Sequence, residues 1–105
     1  MHRSAPLLAL AVGWILATPA TAADPPRPAK LGQCVACHGD NGVSRVAGTP
    51  HLAGQDETYL VNALGAYRQG RRQAVPMNAI ANTLQPRDIA ALARWYATRS
   101  AVRKP

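Results

Sequence analysis

The chain has 105 residues, a net charge of +7 from 12 Lys and Arg against 5 Asp and Glu, and two cysteines. That length leaves room for one small domain, and two cysteines exclude a framework of several disulfides. The basic balance suggests nucleic acid first, but no nucleic-acid motif accompanies it and the chain opens with an export signal, so an acidic protein partner or plain solubility fits the charge better.

Arg3, an apolar run of eleven residues from Leu7 to Ala17 and the small residues Ala20-Thr21-Ala22 form that signal. Cleavage is expected after Ala22 or Ala23. An uncleaved membrane anchor is the competing reading, but the run falls short of the roughly 20 apolar residues that span a bilayer. Pro19 and Pro25-Pro26 also interrupt any continuing helix. The expected division is a signal peptide over 1–23 and one domain over 24–105, periplasmic and without a membrane span after cleavage. Removing 23 of 105 residues leaves 82, a size that often needs a cofactor, metal or disulfide for stability.

In the mature region, Asp24 to Pro28 is a proline-rich lead-in, and Pro28 suits the first position of a short helix running through Leu31 to His38. Gly39 to Pro50, with Asn41-Gly42 and Gly48, reads as loop. Asp56-Glu57 place acids in the first turn of a second helix. Leu60, Leu64 and Tyr67 share its apolar face, Arg68 sits in its last turn, and Gly70 closes it. A basic loop from Gly70 to Pro76 leads to Met77 and a short apolar helix around Ala79 to Ala81. The last helix opens at Pro86 with Asp88 in its first turn, and Ile89, Leu92, Ala93 and Tyr96 form its buried stripe. No segment alternates as a strand does, so the fold class is all-α.

Cys34-Val35-Ala36-Cys37-His38 is the chemical centre of the chain. Two thiols two residues apart, followed at once by an imidazole, form the signature of c-type haem attachment. The thiols add across the two haem vinyl groups, and the adjacent imidazole is carried under the iron. A thioredoxin-type redox pair would need a βαβ context, and a zinc site would need two further ligands where only His38 and His51 remain. No second motif of this kind occurs, so one haem is expected.

Met77 is the only methionine of the mature region and follows a proline in a loop between helices. A lone methionine is ordinarily core filler, but beside a haem motif it becomes the candidate sixth iron ligand. His51 is the rival, thirteen residues past His38 and otherwise a surface histidine. The Pro50 carbonyl is the candidate acceptor for the free ring N–H of His38, with an ordinary turn proline as the alternative. Tyr59, Tyr67, Arg68 and Arg71 are candidates for the haem propionates, or else solvated positions. Trp95 and Tyr96 are expected to pack the last helix against the first helix and the haem edge.

These pieces together resemble a class I cytochrome c, of the small bacterial kind also found as each half of dihaem cytochromes. The residues carrying the resemblance run in family order: Cys34-Val35-Ala36-Cys37-His38-Gly39, Pro50-His51-Leu52-Ala53-Gly54-Gln55, Tyr59-Leu60, Tyr67-Arg68-Gln69-Gly70-Arg71, Val75-Pro76-Met77, and Asp88-Ile89-Ala90-Ala91-Leu92-Ala93. The resemblance implies three to four short helices around one covalently bound haem c, with thioethers at Cys34 and Cys37. It implies His38 and Met77 on the iron, the Pro50 carbonyl on His38, and the first helix packed on the last. Two departures stand out: a short, proline-rich segment before Cys34, and Gln85 where relatives carry a Ser or Thr cap, a loss of ~1 kcal/mol.

The function expected is electron transfer in the periplasm, with no catalytic acid, base or nucleophile. Redox proteins with acidic docking faces are the expected partners, nucleic acid is not, and the chain is a monomer or a docked subunit. The alternatives are a haem subunit of a larger dehydrogenase or oxidase, and an open-site haem protein reactive toward gases or peroxide.

Overall fold

A computed structural model describes residues 1–18 and 23–101. The proposed cleavage residues Ala20, Thr21 and Ala22 lie outside the described residues, as does Lys104 at the basic tail. Residues 1–18 carry no helix, and their large apolar side chains, among them Leu7, Trp14 and Ile15, are exposed. Among the described residues no helix is long and apolar enough to cross a membrane.

Helix ends follow local chemistry. α1 (Gly32–His38) begins four residues later than Pro28 predicts, because residues 28–31 close as a tighter turn. There the Leu31 N–H donates to Pro28 O at 3.1 Å and the Cys34 N–H to Leu31 O at 2.9 Å. Short i→i+3 turns commonly precede α-helices, and Gly32 is a poor helix former at the junction. α2 (Glu57–Arg68) starts where the Asp56 carboxylate accepts from the Tyr59 N–H at 2.7 Å, and Gly70 follows its end with φ +73°. α3 (Met77–Asn82) includes Met77 as its first residue, where the sequence predicts a loop. The Asn78 and Ile80 N–H groups, bonded to Ala74 O and Pro76 O at 3.1 Å each, pull residue 77 onto the helix. α4 (Pro86–Ala97) starts behind Gln85. Gln85 contributes no side-chain cap, but Asp88 Oδ2 accepts from the Gln85 N–H at 2.8 Å. That half of a capping box offsets part of the expected loss.

Among the described residues there is no strand, and the all-α class holds. α4 packs on α2, and α2 on α3. Leu31, Leu60, Leu84, Ile89, Leu92, Ala93, Trp95 and Tyr96 form the buried cluster. The seven-residue α1 is too short to lie along α4. Its share comes from Leu31, in the turn before it, and from Cys34 and Val35, which join the same cluster.

The irregular segment between α1 and α2 is held by backbone pairs. Gly42 O accepts from the Leu52 and Ala53 N–H groups at 2.8 and 3.0 Å. Gly42 has φ +78°, and a Cβ there would lie 2.6 Å from Ala53 N and 2.9 Å from Tyr96 Cδ1. Gly42→Ala should therefore lower stability by about 2–4 kcal/mol in thermal melts of the haem-loaded protein, from strain and overpacking together. Gly48→Ala, at φ +79° with open space around its Cβ, should cost only the ~1–2 kcal/mol of left-handed backbone.

Candidate haem site

α1 brings three reactive groups to one wall. Cys34 and His38 are one helical turn apart, and Cys37 sits beside them at the end of the helix. All three line a largely apolar cavity of about 450 Å³, within the usual range for cofactor pockets. α2 contributes Tyr59, Leu60, Ala63, Leu64 and Tyr67; α4 contributes Leu92, Ala93 and Tyr96; Pro76, Met77 and Ile80 close the remaining wall. A broader, polar and more open depression of about 840 Å³ lies along Asp24, Asp40, Arg45 and Arg99. It shares only Cys37 with the first cavity and holds neither His38 nor Met77.

His38 is buried, and its Nδ1 lies 2.9 Å from Pro50 O. A carbonyl can only accept, so Nδ1 carries the proton and Nε2 is left with its lone pair. That is the tautomer an iron ligand needs. Burial pushes Cys34, as a free thiol, up to about 11, so before attachment it is a neutral apolar filler rather than a thiolate.

The loop below His38 is braced by residues that sequence reasoning did not single out. Ser44, buried, donates its hydroxyl to Cys37 O at 2.8 Å, and its backbone N–H donates to His51 Nδ1 at 2.8 Å. His51 lines the cavity from the Pro50 side with that nitrogen committed. On the far side, Trp95 Nε1 donates to Asp40 O at 2.8 Å and the Tyr96 hydroxyl to Gly39 O at 2.9 Å. Asp40 also pairs with Arg27. Trp95 and Tyr96 thus pin α4 to the two residues after His38 as well as packing the core.

Cys34, Cys37, His38, Pro50, Tyr59 and Met77 all meet at the cavity, and Tyr67 joins them. Arg68 and Arg71 are not part of its wall; both are exposed, and Arg71 Nε is bonded to Gln69 Oε1 at 2.9 Å. Arg72 lines the cavity instead, its guanidinium 4.6 Å from the Tyr67 ring centroid. No periodicity distinguishes Arg72 from its neighbours, because they follow one another around a loop. Ser44 and Asn78 were also missed, since each works by bonding backbone rather than through a motif.

Two thiols and a correctly protonated imidazole on one short helix, facing an apolar cavity, define a pocket for a covalently attached haem. The donor set and the lining both fit that group. Residues 29–99 match the family described as Cytochrome c, and the chain belongs to the cytochrome c family as a small class I domain, like one half of a dihaem cytochrome c4. As a member it is an electron-transfer protein carrying one covalently bound haem c with its iron.

Among relatives, cytochrome c-554(548) of Halomonas halodenitrificans is 41% identical over 73 residues, covering 67% of this chain and 88% of that one. Cytochrome c4 of Pseudomonas aeruginosa is 35% identical over 71 residues, covering 68% of this chain but 35% of its own length. The thiosulfate dehydrogenase electron acceptor of Thiomonas intermedia is 38% identical over 79 residues, 74% of this chain and 36% of that one. The chain thus spans most of the first relative and about a third of the other two. Reduced cytochrome c4 from Pseudomonas stutzeri superposes with a TM-score of 0.61 at 34% identity, covering 70% of this chain and 44% of that one. Thiosulfate dehydrogenase from Marichromatium purpuratum gives 0.59 at 43% identity, covering 68% and 16%.

The Tyr96 phenol is raised above its ordinary value, first by burial, then by the neighbouring negative charges of Cys34 and Asp40. With Cys34 in a thioether, burial and Asp40 remain. A folded-state value above the unfolded one makes this contribution complete below about pH 10, the unfolded value, and progressively lost as pH rises beyond it. Tyr96→Phe should lower stability at pH 7 through the lost bond to Gly39 O, yet flatten the fall in stability above pH 10, as read from melting temperature against pH.

Proposed function

We propose that this chain is an exported, periplasmic single-haem electron carrier whose iron is held by His38 and Met77. The observation that carries the reading is that Met77 and His38 line the same cavity, while His51 has its Nδ1 taken by the Ser44 N–H. When bound, the haem supplies a one-electron couple at its iron. The protein's residues do the rest. Pro50 O holds the proton of His38 on Nδ1 and so keeps Nε2 basic. Met77 presents a soft thioether, which favours the ferrous state and a high potential. Leu60, Leu64, Ile80 and Leu92 exclude water. Tyr59, Tyr67 and Arg72 offer polar groups for the propionates, and Arg68 and Arg71 stand outside that wall as exposed charge. Nothing in this arrangement requires a catalytic acid, base or nucleophile, and if His38 and Met77 both held the iron no position would be left open to peroxide or gases.

The first test is a pair of variants. Met77→Ala should keep the haem attached through Cys34 and Cys37, lose the weak near-red thioether-to-iron band of the ferric protein, lower the potential, and admit added imidazole or cyanide. His51→Ala should leave band and potential near those of the parent. The reverse pattern assigns the sixth position to His51.

A second reading, the electron acceptor of a dehydrogenase, is favoured by the 38% identity to the thiosulfate dehydrogenase electron acceptor of Thiomonas intermedia. Either role needs a docking face, and the basic loop with Arg71 and Arg72, beside the fully exposed Val75, supplies charge around an apolar spot. Electron transfer with an acidic partner should slow steeply as ionic strength rises past about 0.1 M, where the screening length is about 10 Å. A salt-insensitive complex that survives gel filtration at high salt identifies a permanent subunit.

A further inference from the structure

The loop between α2 and α3 carries Arg72 and delivers Met77 to the cavity, yet it contains no regular structure of its own. One side chain ties it together. Asn78 Nδ2 donates to Arg72 O at 2.7 Å and to Tyr67 O at 2.9 Å, and its Oδ1 accepts from the Ala74 N–H at 2.8 Å. The Asn78 N–H in turn donates to Ala74 O at 3.1 Å, so residues 74 and 78 are paired in both directions. The carboxamide thereby anchors the last turn of α2, the middle of the loop and its end to the residue next to Met77. Only a group with two donors and an acceptor in one plane can do this. Asp would keep the acceptor, lose both donors and set a negative charge against two carbonyl oxygens.

We propose that Asn78 is a positioning residue for the sixth ligand: its three bonds hold Met77 against the iron and oppose the outward swing of residues 70–76 that an exchange of ligand demands. A loop opens at the cost of the bonds that close it. The start of the loop is held separately, with the Arg71 and Arg72 N–H groups donating to Ala66 O at 2.8 and 3.2 Å. The side-chain bonds that tie its middle and end to α3 converge on Asn78, so the closed state of the Met77 side depends on that residue. The inference rests on Met77 being the ligand.

The experiment compares the haem-loaded parent with Asn78→Ala, Asn78→Asp and Asp88→Ala. Asp88→Ala removes the capping bond of α4 to Gln85 N–H, and so lowers stability away from the loop. Each ferric protein is titrated with imidazole while the near-red thioether band is followed, and backbone exchange at Ala74 is measured by NMR. Asn78→Ala should raise imidazole affinity about tenfold or more, equivalent to ~1.4 kcal/mol, and speed exchange of the Ala74 N–H. Asn78→Asp should shift at least as far, while Asp88→Ala lowers the melting temperature and leaves band and affinity unchanged. Imidazole affinity in Asn78→Ala equal to the parent's, or raised equally in Asp88→Ala, overturns the positioning role. A parent without the thioether band overturns the Met77 assignment itself, a separate failure from the first.

Discussion

The hydrogen bond from His38 Nδ1 to Pro50 O, 2.9 Å long, closes a segment of twelve residues that has no helix or strand to hold it. Around it the other ties are arranged in order: Ser44 to Cys37 O, Gly42 O to Leu52 and Ala53, and Tyr96 to Gly39 O. Each bond supports its neighbour, because moving one carbonyl shifts the turn that aims the next. What the fold gains is a single ring tautomer in a buried histidine, with Nε2 facing the cavity. Burying an imidazole without such a partner costs free energy, and here the same contact that removes the cost also prepares the ligand.

The interior is consequently divided between protein and cofactor. The chain has no phenylalanine, and its fully buried large side chains are Leu31, Leu84 and Leu92. Helices α2 and α4 meet across that small cluster, and both also turn apolar side chains into the cavity. A domain of this size buries proportionally little surface, so a haem held in the cavity that Leu60, Leu64, Ile80 and Leu92 line would supply part of the missing core.

Legibility in the sequence followed the physics of each element. α2 could be read almost to the residue because acids at its start, an i, i+4, i+7 apolar face and a closing glycine all mark the same boundaries, although Asp56 stands just before the first turn as its cap rather than within it. The stripe of α4 was visible for the same reason. The thiols and His38 were visible because covalent attachment dictates their spacing. Met77 was recognisable by being alone, but its place on α3 was not, since that depends on Asn78 and Ile80 reaching back to Ala74 and Pro76. Whether Arg68, Arg71 or Arg72 faces the cavity depends on the path of an irregular loop, which periodicity does not describe. Ser44 and Asn78 escaped notice because small polar residues that bond to backbone leave no pattern in composition or spacing.

Arg99 is mostly buried, stacks 4.1 Å over the Trp95 ring and reaches Asp24 at 3.2 Å. An exposed ion pair adds little stability, but this one records a fact of geometry: the segment that precedes the first helix and the segment that follows the last are neighbours. A domain with adjoining ends can be copied in tandem, or inserted beside another domain, through a short connector and without disturbing its interior. The fold is therefore suited to modular reuse, and relatives that carry a matching stretch within a chain about three times as long are the arrangement such ends make easy.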